Sequence, residues 1–296
     1  MSENKKRVSL VLGSGGARGL AHIGAIHWLE ENDYQIKSIV GCSMGACVGG
    51  IYAIGKLDQY EEWVRAIRKR DILALLDISF SRSGLVKGDK LISTLRDLLG
   101  EHLIESLPIQ FTAVATDIER VKEVWIDRGP IFDAIRASVS IPLLFTPVKN
   151  GSRQLIDGAV LNPIPVAPTL GDDTDITIAV NVSGEIRGGL KNVRKTKRPE
   201  NDQTTLQKKI TGYLDSLKPI PSSRSDEATI TDVVYQSFDA MQSTIARQKL
   251  ASYPPDILID IPRNISNIMD FDRASELIDI GYELTAKTMG SQKPSN

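Results

Sequence analysis

The serine at position 43 constrains this chain more than any other residue, because it is framed as Gly41-Cys42-Ser43-Met44-Gly45. An apolar run, 36–40, precedes it, and a small-residue stretch, 46–50, follows. A strand that turns sharply into a helix needs glycines two places before and after the serine, where a side chain would crowd the backbone. The arrangement predicts a nucleophile elbow, with the Ser43 hydroxyl presented rather than buried. It also sets Ser43 at a helix N-terminus, where free N–H groups and the helix dipole favour developing negative charge. So short a motif recurs by chance, and its weight comes from the strand before it and the helix after it.

The residue inventory removes the usual partner. A serine hydrolase of the ordinary α/β type runs in chain order from serine to acid to a late histidine, but the three histidines here are His22, His27 and His102. None follows Asp157. His102 closes an amphipathic helical stretch and reads as an exposed surface residue, and His22 reads as a hydrogen-bonding tie to the loop before it. Either Ser43 is not catalytic, or a group other than histidine takes its proton.

A second glycine cluster follows the first predicted strand, 7–12, and precedes a helical run, 20–30: Gly13-Ser14-Gly15-Gly16-Ala17-Arg18-Gly19. Loops of this kind turn backbone N–H groups toward an anion. A dinucleotide fingerprint would need glycine at position 18, which is Arg18, and a Walker loop would need Gly-Lys-Ser or Gly-Lys-Thr, which is absent. Phosphate binding is therefore the lesser option. An oxyanion hole supplied by the loop after the first strand suits both the serine elbow and a parallel sheet.

Asp157 ends a short extended run, 153–156, and is followed by Gly158, with Asn162-Pro163-Ile164-Pro165 fixing a rigid turn beyond. An acid at a strand end sits at the rim where parallel sheets place their chemistry. The alternative is an aspartate that merely caps a turn, a common use of Asp-Gly.

Together these pieces resemble the patatin-like phospholipases, over about residues 8–182. The resemblance rests on Ser14-Gly15-Gly16-Ala17-Arg18-Gly19, on Gly41-Cys42-Ser43-Met44-Gly45 and on Asp157-Gly158. Gly84-Leu85-Val86-Lys87-Gly88, Arg136-Ala137-Ser138-Val139-Ser140-Ile141-Pro142 and Tyr253-Pro254-Pro255-Asp256-Ile257-Leu258 are similar to the small bacterial branch. Ser14 stands where many members carry glycine. The resemblance implies a three-layer α/β/α fold around a mostly parallel sheet, and a Ser–Asp dyad that resolves the missing histidine. Ser43 would be the nucleophile and Asp157 the base. Gly15 and Gly16 would form the oxyanion hole through backbone N–H, with Met44 N–H assisting, and Arg18 would orient the loop. The expected activity is that of a serine esterase on phospholipids, lysophospholipids or related acyl lipids, with no cofactor and no metal. The competing class is a lipid-binding regulatory protein that keeps the hydrolase fold with little turnover.

Composition agrees with a single domain over 1–296: the chain is 41% hydrophobic with a formal net charge of -1, which gives no global attraction to nucleic acid. Two cysteines without a Cys-x-x-Cys support neither a disulfide scaffold nor a zinc site. Cys42 is expected as a small buried packer facing away from the nucleophile and Cys47 as core, while Met44 is a candidate for lining an acyl pocket. No secretion signal or spanning apolar run is visible, so cytoplasmic residence is expected.

Helical periodicity is read over 57–68, 89–98, 131–138, 230–250 and 271–289, and extended structure over 109–115, 123–126, 175–182 and 256–261. In 230–250, Val234, Phe238, Met241 and Ile245 fall at heptad-like spacing, which predicts a core or partner-facing seam. Between 185 and 224, ten basic residues stand against four acids. Leu206, Ile210, Tyr213, Leu214 and Leu217 follow helical spacing there. This basic excursion reads as a solvated segment packed on the domain, as a cover over the acyl site or, through 191–217, as a peripheral contact with an anionic membrane. A C-terminal helical region, 228–290, completes the chain.

Overall fold

The computed structural model describes residues 5–68, 71–72, 75, 88–186 and 230–291. The basic excursion at 185–224 therefore lies outside the described residues apart from its first two positions, as do Gly84 to Lys87.

Among the described residues, eight strands form one sheet: β1 (Lys6–Leu12), β2 (Tyr34–Cys42), β3 (Gln110–Asp117), β4 (Lys122–Ile126), β5 (Val148–Asn150), β6 (Arg153–Asp157), β7 (Ile176–Gly184) and β8 (Ile257–Pro262). β1 pairs in parallel with β2 and β7, β2 with β3, and β7 with β8. β4 and β6 pair with β3, and β5 with β6, all antiparallel. The parallel half reads as near-continuous apolar sequence because both of its faces are covered. Val8, Leu10 and Leu12 join the main core on one face, and Val11 joins a smaller cluster with Ile164, Val166, Ala179 and Ala246 on the other.

The helices are α1 (Ala21–Glu31), α2 (Met44–Ala53), α3 (Leu57–Ala66), α4 (Asp89–Leu99), α5 (Ile131–Ser138), α6 (Ile230–Ser252) and α7 (Ala274–Gly290). All but α6 contribute to the main core, so the α/β/α layering is thick on one face and thin on the other. α1 and α7 approach closely: a Cβ at Gly24 would lie 1.9 Å from Ile278 O, and one at Gly281 would lie 2.0 Å from Ala21 O.

Three expectations are corrected. The helix read over 57–68 stops at Ala66, because Ile67 turns extended. The closing helix begins at Ala274, after a separate 3-10 turn over Phe271–Arg273. On α6 the seam read as core or partner-facing is not core, though Phe238 and Ile245 are half-buried. Val234 and Met241 are exposed, and the helix instead buries Gln242, Ser243 and Ala246. Heptad spacing locates an apolar face without saying that anything covers it, and here the covered face is mostly polar.

No helix among the described residues is long and apolar enough to cross a membrane.

Candidate active site

Strand register brings Ser43 and Asp157 together. β2 pairs with Gln110 to Val114 and β6 with Ala115 to Asp117, while β4 pairs with Ala113 to Asp117. β4 occupies one edge of β3, so β2 and β6 must share the other. They run toward each other along it, and their last residues, Cys42 and Asp157, stand opposite consecutive residues, Val114 and Ala115. The chain then leaves β2 through Ser43.

The turn is tight. Ser43 has φ 55°, a left-handed value uncommon for a side-chain-bearing residue. A Cβ on Gly45 would lie 2.0 Å from Leu12 O, and one on Gly41 would lie 2.5 Å from Ala46 N, so any other residue would push α2 off β1 and β2. Ser138 braces the elbow: its Oγ accepts the Ser43 N–H at 2.8 Å and donates to Val114 O at 2.6 Å. Two residues on, Ser140 O accepts the Asp157 N–H at 2.9 Å. The segment 138–140 thus holds both ends of the pair.

Ser43 Oγ donates to Asp157 Oδ2 at 2.6 Å. Asp157 Oδ1 accepts from Ala159 N–H at 2.8 Å and from the Cys42 thiol at 3.9 Å. Burial pushes the Asp157 carboxyl up to about 7, against the pull of its hydrogen bonds to Ser43, Ala159 and Cys42. Cys42 is buried as expected, but its sulfur points at Asp157 rather than away from the site. Burial, and then the neighbouring carboxylate, hold its thiol well above the ordinary range. Cys47 is likewise buried, with its thiol pushed up to about 12. Neither is suited to act as a thiolate nucleophile.

Ser43 is not presented to bulk water: only 2% of its surface is exposed. It lines instead two partly open cavities that share Gly16, Ser43, Ile141 and Ile268 as a common wall. The first, about 1010 Å³ with its mouth included, is lined by Met44, Cys47, Trp63, Leu95 and Phe145 among other apolar side chains. The second, about 380 Å³, carries the polar groups of Arg18, Asp157, Asp239 and Gln242. The cover over Ser43 comes from elements distant in sequence.

In the glycine loop, Gly13 N–H donates to Val180 O, Ser14 N–H to Pro163 O and Ala17 N–H to Ile268 O. The N–H groups of Gly15 and Gly16 meet no backbone acceptor among the described residues. Met44, as the first residue of α2, carries one of the N–H groups that a helix cannot satisfy internally. Gly16 is left-handed at φ 56°, whereas Ser14 is not, so serine is tolerated there. Arg18 is buried and bonded at each nitrogen: Nε donates to Gly15 O at 3.2 Å, Nη1 to Arg263 O at 3.3 Å and Nη2 to Asp239 Oδ1 at 2.5 Å. His22 Nε2 lies 2.8 Å from Gly13 O, and burial lowers the ring to about 4, so it is neutral and donates to that carbonyl. His102 is half-buried rather than exposed, its Nε2 3.2 Å from Leu99 O.

The roles of Ser138 and Asp239 escape a reading by motif. Ser138 lies inside the run 136–142 that carries part of the resemblance, and that was its only signal. Asp239 sits mid-helix with no local signature.

Residues 10–170 match the patatin-like phospholipase family. An uncharacterized NTE family protein of Mycobacterium tuberculosis is 37% identical, over 96% of this chain and 91% of its own length. The chain belongs to the patatin-like phospholipase family. That membership makes it a lipid-acting hydrolase. A patatin-like phospholipase domain-containing protein of Caenorhabditis elegans is 33% identical over 53% of this chain and 12% of its own length. The lysophospholipase NTE1 of Coccidioides immitis is 27% identical over 94% of this chain and 17% of its own length. Among solved structures, VipD from Legionella pneumophila aligns with a TM-score of 0.44 at 14% identity, covering 98% of this chain and 67% of that one.

Proposed function

We propose that this patatin-like phospholipase is a serine acylhydrolase that cleaves the carboxylic esters of acyl lipids through Ser43 and Asp157. The observation that carries the reading is the 2.6 Å hydrogen bond from Ser43 Oγ to Asp157 Oδ2 at the junction of an apolar and a polar cavity.

As Ser43 Oγ attacks the ester carbonyl, its proton passes to Asp157 Oδ2. The carbonyl oxygen becomes an oxyanion held by the N–H groups of Gly15 and Gly16, with Met44 N–H assisting, each donor worth about 3 kcal/mol in the transition state. Collapse of the intermediate breaks the ester C–O bond, and the departing alkoxide takes the proton from Asp157. Water then attacks the acyl-enzyme, giving its proton to Asp157. The second collapse releases the fatty acid and returns that proton to Ser43 Oγ. A carboxyl titrating near 7 accepts and returns protons at neutral pH far better than an ordinary one near 4. Arg18 positions the glycine loop through Gly15 O.

The apolar cavity receives the acyl chain, each buried methylene contributing about 0.8 kcal/mol. Cytoplasmic residence, a single domain and contact with anionic membrane through 191–217 complete the reading, the last supported by the basic excess of that stretch. Hydrolysis of p-nitrophenyl laurate and p-nitrophenyl acetate by wild type and Ser43→Ala tests it. Laurate is expected to be the better substrate, and Ser43→Ala to abolish turnover of both. Turnover of laurate by the folded variant at the wild-type rate would overturn the assignment.

A further inference from the structure

The small polar cavity holds a side chain that the hydrolytic machinery does not use. Gln242, on α6, is 6% exposed and lines the cavity beside Ser43, and its side chain makes no hydrogen bond to the described residues. A carboxamide offers two N–H donors and an acceptor oxygen, which a molecule filling the cavity can meet. Such a group is expected to have a partner when the site is filled.

The chemistry of that partner follows from its neighbours. Because the two cavities meet at Ser43 and the larger is apolar, an ester bound with its acyl chain there must direct its alcohol into the smaller one. Arg18 also lines that cavity, but its guanidinium is held in place by Gly15 O, Arg263 O and Asp239. Asp239 is accordingly balanced by Arg18, and the pair presents no net positive charge to draw in a phosphate. A group that both donates and accepts hydrogen bonds suits Gln242 best, and Asp239, which lines the same cavity, is a further acceptor. A neutral hydroxyl fits, whereas an ester carbonyl or a phosphate oxygen would bring acceptors only.

We infer that Gln242 determines leaving-group specificity by binding a hydroxyl on the carbon adjacent to the one that bears the scissile ester oxygen, so that the alcohol preferred is a polyol such as glycerol. This rests on the acylhydrolase reading above. Monoacylglycerols and lysophospholipids share that hydroxyl, and the phosphate of the latter would lie farther out.

The test compares kcat/KM for monolauroylglycerol, lauroyl lysophosphatidylcholine and propyl laurate below their aggregation thresholds. Propyl laurate has the same acyl chain and a three-carbon alcohol with no hydroxyl. Wild type is expected to prefer each hydroxylated ester over propyl laurate by roughly three- to tenfold, the range of one neutral hydrogen bond. Gln242→Met, similar in shape, and Gln242→Leu are expected to bring both ratios toward unity. A ratio confined to the lysophospholipid would overturn the hydroxyl assignment in favour of phosphate recognition. A wild-type ratio of one would overturn it whether or not the variants fold, and so would an unchanged ratio in a folded variant. Hydrolysis of propyl laurate by wild type but not by Ser43→Ala upholds the acylhydrolase reading whatever the ratios show. If no ester is cleaved, both inferences fall.

Discussion

Cys42 and Asp157 end two strands that meet head to head along one edge of β3, opposite Val114 and Ala115. Ser43, the next residue after Cys42, is thereby delivered to Asp157 across 114 positions of sequence, at a hydrogen bond of 2.6 Å. The geometry follows from backbone pairing, so it does not depend on a flexible side chain finding its partner.

Asp157→Asn should lower kcat for p-nitrophenyl laurate by roughly 10²–10⁴-fold, the usual contribution of a positioned base. The amide can still accept from Ala159 N–H and face Ser43 Oγ, and it removes a buried carboxyl that resists ionisation. Its melting temperature at pH 8 should therefore equal or exceed that of wild type. Thermal melts together with steady-state kinetics check both halves, and a folded variant with wild-type turnover would contradict the role of Asp157.

The rate should rise with pH through about 7, because Asp157 must be ionised to take the proton and burial raises it to that value. Stability should move the opposite way. The folded value lies above the unfolded one, so between pH about 4 and 7 the folded chain holds the extra proton and loses stability as pH rises. A kcat/KM profile whose acid limb falls near 4 would contradict the raised value.

Much of this was legible in sequence because it is local. The elbow needs Gly41 and Gly45 wherever a strand must turn into a packed helix, and the glycine loop announces itself by composition. The strands read at 7–12, 109–115 and 175–182 lie in the parallel half of the sheet, where both faces are covered and the sequence is continuously apolar. The cover over Ser43 was not legible, since Ile141, Phe238 and Ile268 arrive from three separate parts of the chain. Nor was the orientation of Cys42, which is fixed by where β6 ends. On α6, the spacing of Val234 and Met241 marks an exposed face, while the covered face carries the contacts of Arg18 to Asp239 and Arg263 to Ser243 beside the packed Ala246, none of which the spacing could locate.

Gly16→Ala should reduce kcat by about 10²-fold or more with a smaller change in KM, as expected when an oxyanion donor is displaced. A methyl group there would lie 2.5 Å from Ile268 O on a left-handed backbone, so the loop must shift. Kinetics on p-nitrophenyl laurate check this. A loss confined to KM would make the loop a ground-state binding element.

His22→Gln should remove a contribution to stability that fades between pH 7 and 5, opposite in sign to that of Asp157, so the variant should gain stability relative to wild type as pH falls. The neutral ring holds the Gly13 carbonyl, and its folded value of about 4 lies below the ordinary one of about 6.5. In that interval the unfolded chain binds more protons, so the contribution is complete above about 6.5 and fades as pH falls toward 4. Melting temperatures at the two pH values measure the slope, and a slope unchanged by the substitution would remove His22 from the account.

The most direct test of the central claim is to treat the full chain with a fluorophosphonate and map the adduct by peptide mass spectrometry. The account predicts a single phosphonylated residue, Ser43, with labelling abolished in Ser43→Ala and strongly slowed in Asp157→Asn. Labelling of another residue, or ester hydrolysis by wild type that survives saturating probe with Ser43 unmodified, would contradict it.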